Sequence, residues 1–202
     1  MKATTVFALA ALTLTIETAS MKAQTVISNE TLVTTTFVVN KTTATAKCTG
    51  ANCVARVPVL KSILVTCPAA IGKTCTFHIS LDTKVELSFD IGRSGCAAPL
   101  TGLTAYEFLV DGAPPTVGPI DANGNYVFAE NIDSCTEDTR RLNGFIRQSF
   151  PASVIATVTN TTAVSHTIDV NLVSSNTSGT ETVLGVEAIA HSSTMRVDVF
   201  EP

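Results

Sequence analysis

Short runs in which apolar and polar residues alternate with a period of two recur along almost the whole chain. The clearest is Thr83 to Ile91. There Val85, Leu87, Phe89 and Ile91 share one side, and Lys84, Glu86, Ser88 and Asp90 share the other. Successive side chains of an extended chain point to opposite faces, so such a run is a strand with one buried and one wet face. Similar runs are Thr31–Val39, Val57–Thr66, Thr76–Leu81, Thr104–Val110, Tyr126–Ala129, Val154–Thr159, Thr167–Val173, Val183–Ala190 and Thr194–Phe200. Thr and Val dominate them, and β-branched residues fit a pleated sheet better than a helix. About ten strands at near-regular spacing, with no convincing amphipathic helix, predict an all-β antiparallel two-sheet sandwich or a barrel.

The turns agree. Asp111-Gly112 ends one strand, and Pro114-Pro115 cannot donate ladder hydrogen bonds in a central one. Asp121-Ala122-Asn123-Gly124-Asn125 carries an Asn-Gly step before Tyr126-Val127-Phe128, a hairpin signal. The same stretch has the D-x-N spacing of a calcium loop. Its glycine falls one position early, however, and position twelve is Ile132 rather than Glu. A turn explains it, and no metal or other cofactor is implied. The polar stretch Asn131–Asn143, with Arg140-Arg141, reads as an exposed loop.

The start of the chain sets the compartment. Met1-Lys2, an apolar run from Val6 to Ile16 and the polar Glu17–Ser20 have the layout of a secretory leader. That run of about eleven residues is too short to span a bilayer. Cleavage is expected near residue 20 or 23, leaving 21–202 as one domain, large enough for its own core. In an oxidising compartment the six cysteines are expected to pair. They allow fifteen pairings, and spacing favours neighbours: Cys48–Cys53, Cys67–Cys75 and Cys96–Cys135. The long last loop would contribute about 3–4 kcal/mol, the short ones less. Zinc would need CxxC pairs or adjacent His, which are absent. N-x-S/T sequons place candidate glycans at Asn29, Asn40, Asn160 and Asn176.

The charge pattern is sparse, with a net charge of −4. It provides no basic footprint for nucleic acid or an anionic membrane, and no later segment is long enough for a membrane span. Serine-hydrolase chemistry lacks a frame. There is no G-x-S-x-G, Gly92–Cys96 is a turn into a cysteine, and His78, His166 and His191 read as structural. A glycosidase needs two carboxylates about 5–10 Å apart. Glu107 and Glu187 form the best pair, because both lie within largely apolar strands. Flat sugar platforms use exposed aromatics. This chain has no Trp, and its two tyrosines, Tyr106 and Tyr126, lie inside strands where they are expected in the core. A glycan site would therefore use polar loops.

The order of the C-terminal half resembles a known family. YEFLVDG at Tyr106–Gly112 is followed by SFPASVIATVTN at Ser149–Asn160, SHTIDVNLV at Ser165–Val173 and STMRVDVFEP at Ser193–Pro202. This succession is similar to tumour-necrosis-factor-like and complement-globular-head-like jelly rolls. The resemblance implies a jelly roll, often trimeric, that acts by binding. It does not extend to the cysteine-rich Thr25–Cys96. An immunoglobulin-like sandwich would want a Trp between its core cysteines. The reading that follows is a secreted, disulfide-stapled, jelly-roll-like protein with a non-enzymatic binding or structural role and an extracellular protein or glycan as partner. The alternative is a secreted jelly-roll hydrolase using Glu107 and Glu187.

Overall fold

A computed structural model describes residues 30–50, 52–91, 100–121, 123–133, 142–177 and 183–202. The predicted leader, Asn29, Cys96, Cys135 and Arg140-Arg141 lie outside the described residues. Nine strands follow in order: β1 (Thr31–Asn40), β2 (Ala44–Cys48), β3 (Val54–Thr66), β4 (Thr74–Ile91), β5 (Leu100–Val110), β6 (Asn125–Asp133), β7 (Leu142–Thr159), β8 (Ser165–Thr177) and β9 (Val183–Glu201).

Pairing is antiparallel throughout and nested. β5 pairs β6, β4 pairs β7, β3 pairs β8, and both β1 and β2 pair β9. The chain is thus a double ribbon folded back at the β5–β6 connection. Two further pairings, β4 with β9 and β5 with β8, roll the ribbon into two sheets. One sheet runs β1-β9-β4-β7 with β2 also on β9, and the other runs β3-β8-β5-β6. That order is a jelly roll, as predicted.

The core fills the space between the sheets. Phe77, Ile79, Leu81, Val85 and Leu87 of β4 meet Tyr106 and Phe108 of β5 and Ile168, Val170 and Leu172 of β8, all buried. Tyr106, Phe128 and Phe150 stack in a row, with ring centroids 4.4 and 4.7 Å apart. The Tyr106 hydroxyl donates to the Phe150 carbonyl at 3.2 Å. Burial pushes its phenol far above the ordinary range.

Four features differ from the sequence expectation. Thr76–Leu81 and Thr83–Ile91 are one strand. Asp82 is exposed on the wet face against Ser149, and the inward row continues through buried Thr83, which donates to Ser193 Oγ at 3.1 Å. Val183–Ala190 and Thr194–Phe200 are also one strand. His191 is an extra residue between the registers Lys84↔Ser192 and Val85↔Ala190, so the inward row switches from Ala190 to Ser193. A bulge absorbs this change of phase, which in sequence looks like a break. β2 was not expected, because its inward residues include the small Ala44 and Ala46, a faint apolar signal. Asn131–Asp133 belong to β6 and Leu142-Asn143 to β7, so the expected Asn131–Asn143 loop is shorter than its polarity suggests.

Candidate functional site

The two glutamates are placed apart. Glu107 alternates with buried Tyr106 and Phe108, so it projects from the outer face of the four-stranded sheet. Glu187 alternates with buried Val186 and Ala188 and projects from the outer face of the other sheet. Stacked sheets lie about 10 Å apart, and both side chains point away from the core between them, beyond the reach of a carboxylate pair. Each carboxylate has its own cation: Arg56 Nε is 3.1 Å from Glu107, and Lys47 Nζ is 3.0 Å from Glu187. The structure does not assemble the glycosidase pair.

The histidines are occupied by neighbours. His78 packs on Phe200 with centroids 4.5 Å apart. His191 Nε2 lies 3.2 Å from Glu86, whose carboxylate also faces Arg147. His166 is buried and forms the centre of a clasp that sequence reasoning missed. Its Nδ1 lies 2.6 Å from Asp111 Oδ2 and its Nε2 2.9 Å from Asn160 Oδ1. Asn160 Nδ2 donates to the carbonyls of Cys67 and Ala69, which fixes its oxygen toward the ring. Asp111 Oδ1 also accepts from Thr167 N at 2.8 Å. Desolvation raises the Asp111 carboxyl, but the hydrogen bonds from His166 and Thr167 outweigh it and hold the group below its ordinary range.

Local geometry explains this clasp. Asp111 and Gly112 both have positive φ, 51° and 80°, and Val110 and Ala113 exchange backbone hydrogen bonds across them. Two consecutive positive φ values are the signature of the tight hairpin turn that Asp-Gly favours. The turn places the Asp111 carboxylate over the start of β8. The only sequence signal for it was that dipeptide. The Asp121–Asn125 turn is held by Asp121 Oδ1, which accepts from the backbone N–H of Asn123 and Asn125 at 2.8 Å each. These bonds outweigh desolvation and keep the Asp121 carboxyl below its ordinary range. Among the described residues no three His, Cys, Asp or Glu side chains gather as a metal cluster.

Two disulfides form as expected. Cys48–Cys53 has a Cα–Cα distance of 5.6 Å, and Cys67–Cys75 one of 5.8 Å. The first ties β2 to the start of β3, and the second closes the β3–β4 turn. The described sequon asparagines are all engaged. Asn160 and Asn176 are buried, and Asn40 Nδ2 donates to the Val59 carbonyl at 2.5 Å. A sugar on Asn160 Nδ2 would displace its bonds to the carbonyls of Cys67 and Ala69. Asn176 accepts from Cys53 N at 3.2 Å, and its Nδ2 is buried without a partner.

Besides a recess of about 440 Å³ on the five-stranded sheet lined by Ser80, Asp82, Ser153 and Arg196, two surfaces are available for binding. The first is β1, whose Leu32, Val33, Phe37 and Val39 are exposed, Phe37 at 64%. The second is the outer face of the four-stranded sheet around Arg56, Glu107 and Asn171, where recesses of about 310 and 230 Å³ open.

No family model matches the chain, and no curated protein matches it in sequence. Among solved structures it is similar to a chain of the infectious bursal disease virus Gx strain structure. That match has a TM-score of 0.28 and 6% identity, over 84% of this chain and 40% of that one. A chain of the Gt strain structure matches with a TM-score of 0.20 and 8% identity, over 92% of this chain and 44% of that one. This chain therefore spans less than half the length of either. At scores this low the likeness carries no argument, and the jelly-roll assignment rests on the strand order. Among the described residues no helix is long and apolar enough to cross a membrane.

Proposed function

We propose that this is a secreted, non-enzymatic jelly-roll protein that works by binding and by assembling with copies of itself. The observation that carries the assembly is β1. It is a ten-residue strand (TLVTTTFVVN) at the border of the five-stranded sheet, and its only strand partner among the described residues is β9. It contains no charged residue and no proline, the usual devices that blunt a sheet edge. Exposed Phe37 and Val39 share one face of it. Antiparallel pairing of two β1 strands would bring apolar residues opposite one another without opposing like charges. The leader-like start and the two disulfides support an extracellular setting. The likeness to tumour-necrosis-factor-like jelly rolls supports a trimer instead, which a two-fold pair of β1 strands does not make.

Light scattering after size exclusion, with and without reductant, tests it. A reductant-independent dimer that Phe37→Lys dissolves to monomer is the expected result, and a trimer would overturn the two-fold β1 pair in favour of the tumour-necrosis-factor-like arrangement. A monomer at 100 µM, on the order of a weak protein–protein Kd, would overturn assembly through β1.

A further inference from the structure

The outer face of the four-stranded sheet carries a linked set of polar groups between apolar ones. On β3, β8 and β5 the residues that point away from the core form rows across the strands: Val54–Ser175–Leu103, then Arg56–Val173–Ala105, in which Val173 and Ala105 are covered and only Arg56 is exposed, then Pro58–Asn171–Glu107. A further β8–β5 pair, Asp169–Leu109, extends them. The recess of about 310 Å³ lies at the first rows, and the Asp121–Asn125 turn folds back to line it. The recess of about 230 Å³ lies at the last rows, beside Lys61. Asn171 and Glu107 stand between the two. From Ser175 to Asp169 the strip is about 20 Å long at 3.3 Å per residue.

Its polar groups are held in place before any ligand arrives. Glu107 Oε1 accepts from Arg56 Nε at 3.1 Å, and Oε2 accepts from Asn171 Nδ2 at 2.8 Å. Asp169 Oδ1 accepts from Ser62 N at 2.6 Å, and Asp121 is fixed by its own turn. Groups already oriented lose little freedom on binding. Carboxylate and amide acceptors alternate with guanidinium and amide donors. A sugar hydroxyl is both donor and acceptor, so it can bridge such neighbours. Val54, Leu103, Leu109 and Pro58 lie among them and offer apolar surface to the C–H faces of a pyranose.

Charge decides the class of ligand. Arg56 and Lys61 are set against Glu107, Asp121 and Asp169 along the strip. A polyanion meets three carboxylates and two cations, one of which is already paired, and gains no net attraction. We propose that this strip binds a neutral, extended polyhydroxyl ligand, a short oligosaccharide chain lying along the strands through Arg56, Glu107 and Asn171. The site rests on the binding role proposed above but not on self-association through β1.

The test is a titration of the isotopically labelled protein, followed by amide chemical shifts, with neutral hexasaccharides (maltohexaose, cellohexaose, xylohexaose and mannohexaose) and a heparin hexasaccharide as polyanionic control. The expected result is saturable shifts at Asn123, Asn171 and Ser175 with at least one neutral chain and none with heparin. Asn171→Ala is expected to weaken binding about tenfold or more, which corresponds to about 1.4 kcal/mol. Ser175→Trp, which fills the larger recess from the surface, should abolish it. Both variants should keep the parent amide spectrum elsewhere. The proposal is overturned if no neutral chain gives saturable shifts, if the shifts map away from the strip, or if heparin binds better than every neutral sugar. None of these outcomes touches the β1 assembly, which light scattering reads separately.

Discussion

The two sheets of this jelly roll are built differently. The five-stranded sheet is built on very long strands, β4 and β7 of 18 residues and β9 of 19. Its outer face carries separate ion pairs, Lys47–Glu187 and Arg196–Asp198, with one shared acceptor at Glu86. The four-stranded sheet has strands of 9 to 13 residues, and each sheet shifts register three times among the described residues. β3 shifts register twice between Pro58 and Ile63, with Ser62 at a φ of 54°, and β5 shifts against β6 between Thr104 and Ala105. Bulges bend and twist a sheet and re-aim its side chains. The four-stranded sheet carries the three-membered polar network beside recesses of about 310 and 230 Å³, whereas the long sheet carries the buried Phe77–Leu87 row and a recess of about 440 Å³ lined by Ser80, Asp82, Ser153 and Arg196.

If the long sheet is the scaffold, damage there should cost most. Phe77→Ala removes a fully buried ring from β4. It should destabilise by about 3–5 kcal/mol, read as a lowered urea midpoint with an unchanged slope. A loss below about 1 kcal/mol would show that the core does not depend on this row. The next effect should come from the Cys67–Cys75 bridge. Replacing both with Ser frees a loop with a sequence separation of 8. The chain-entropy estimate for so short a loop is about 2.5 kcal/mol. Reductant should lower the thermal midpoint of the parent by the same mechanism.

These predictions rest on features that the sequence exposes unevenly. Alternation and turn residues reveal the strands, because burial of one face is written into adjacent positions. They fail where phase changes without a turn, at His191, and where an outward Asp82 mimics a turn inside a continuous strand. The disulfides are local pairs, and spacing finds them. The clasp is not local: Asp111 and His166 are 55 residues apart, and only the pairing of β5 with β8 brings them together. Asn160 illustrates the same limit. Its sequon suggests a surface turn, yet the side chain is buried between the ring of His166 and two carbonyls.

The clasp joins the two sheets at one end of the sandwich, so it sharpens the comparison between them. His166→Leu removes both ring bonds and leaves Asn160 Oδ1 buried without a donor. The expected cost is about 1–3 kcal/mol, below that of Phe77→Ala. The contribution of Asp111 has a pH signature. Its folded carboxyl titrates below the unfolded value, so the stabilisation is complete above the ordinary carboxylate range, near pH 4. It is lost as pH falls through the folded value. The stability gap between the parent and Asp111→Asn should therefore be present above that range and should close in acid, as pH falls through the folded carboxyl value. A gap that instead grows in acid would remove the carboxylate from the clasp.

The smallest effects should separate the two outer faces. Glu187 is paired with a largely exposed lysine, whose side chain is 58% accessible. Exposed pairs contribute roughly 0–1 kcal/mol, so Glu187→Gln should leave the thermal midpoint nearly unchanged and raised salt should remove what difference remains. Glu107 is more deeply set, with 15% of its side chain accessible, and it accepts from two partners on two neighbouring strands. Gln in its place keeps the shape but turns one acceptor into a donor facing Arg56 or Asn171. Glu107→Gln should therefore cost more than Glu187→Gln and resist salt screening. The double variant should show the sum of the two, because the residues stand on opposite faces and share no partner. Coupling beyond about 0.5 kcal/mol between them would mean that the faces communicate through the core and that the division of labour between the sheets is drawn too sharply.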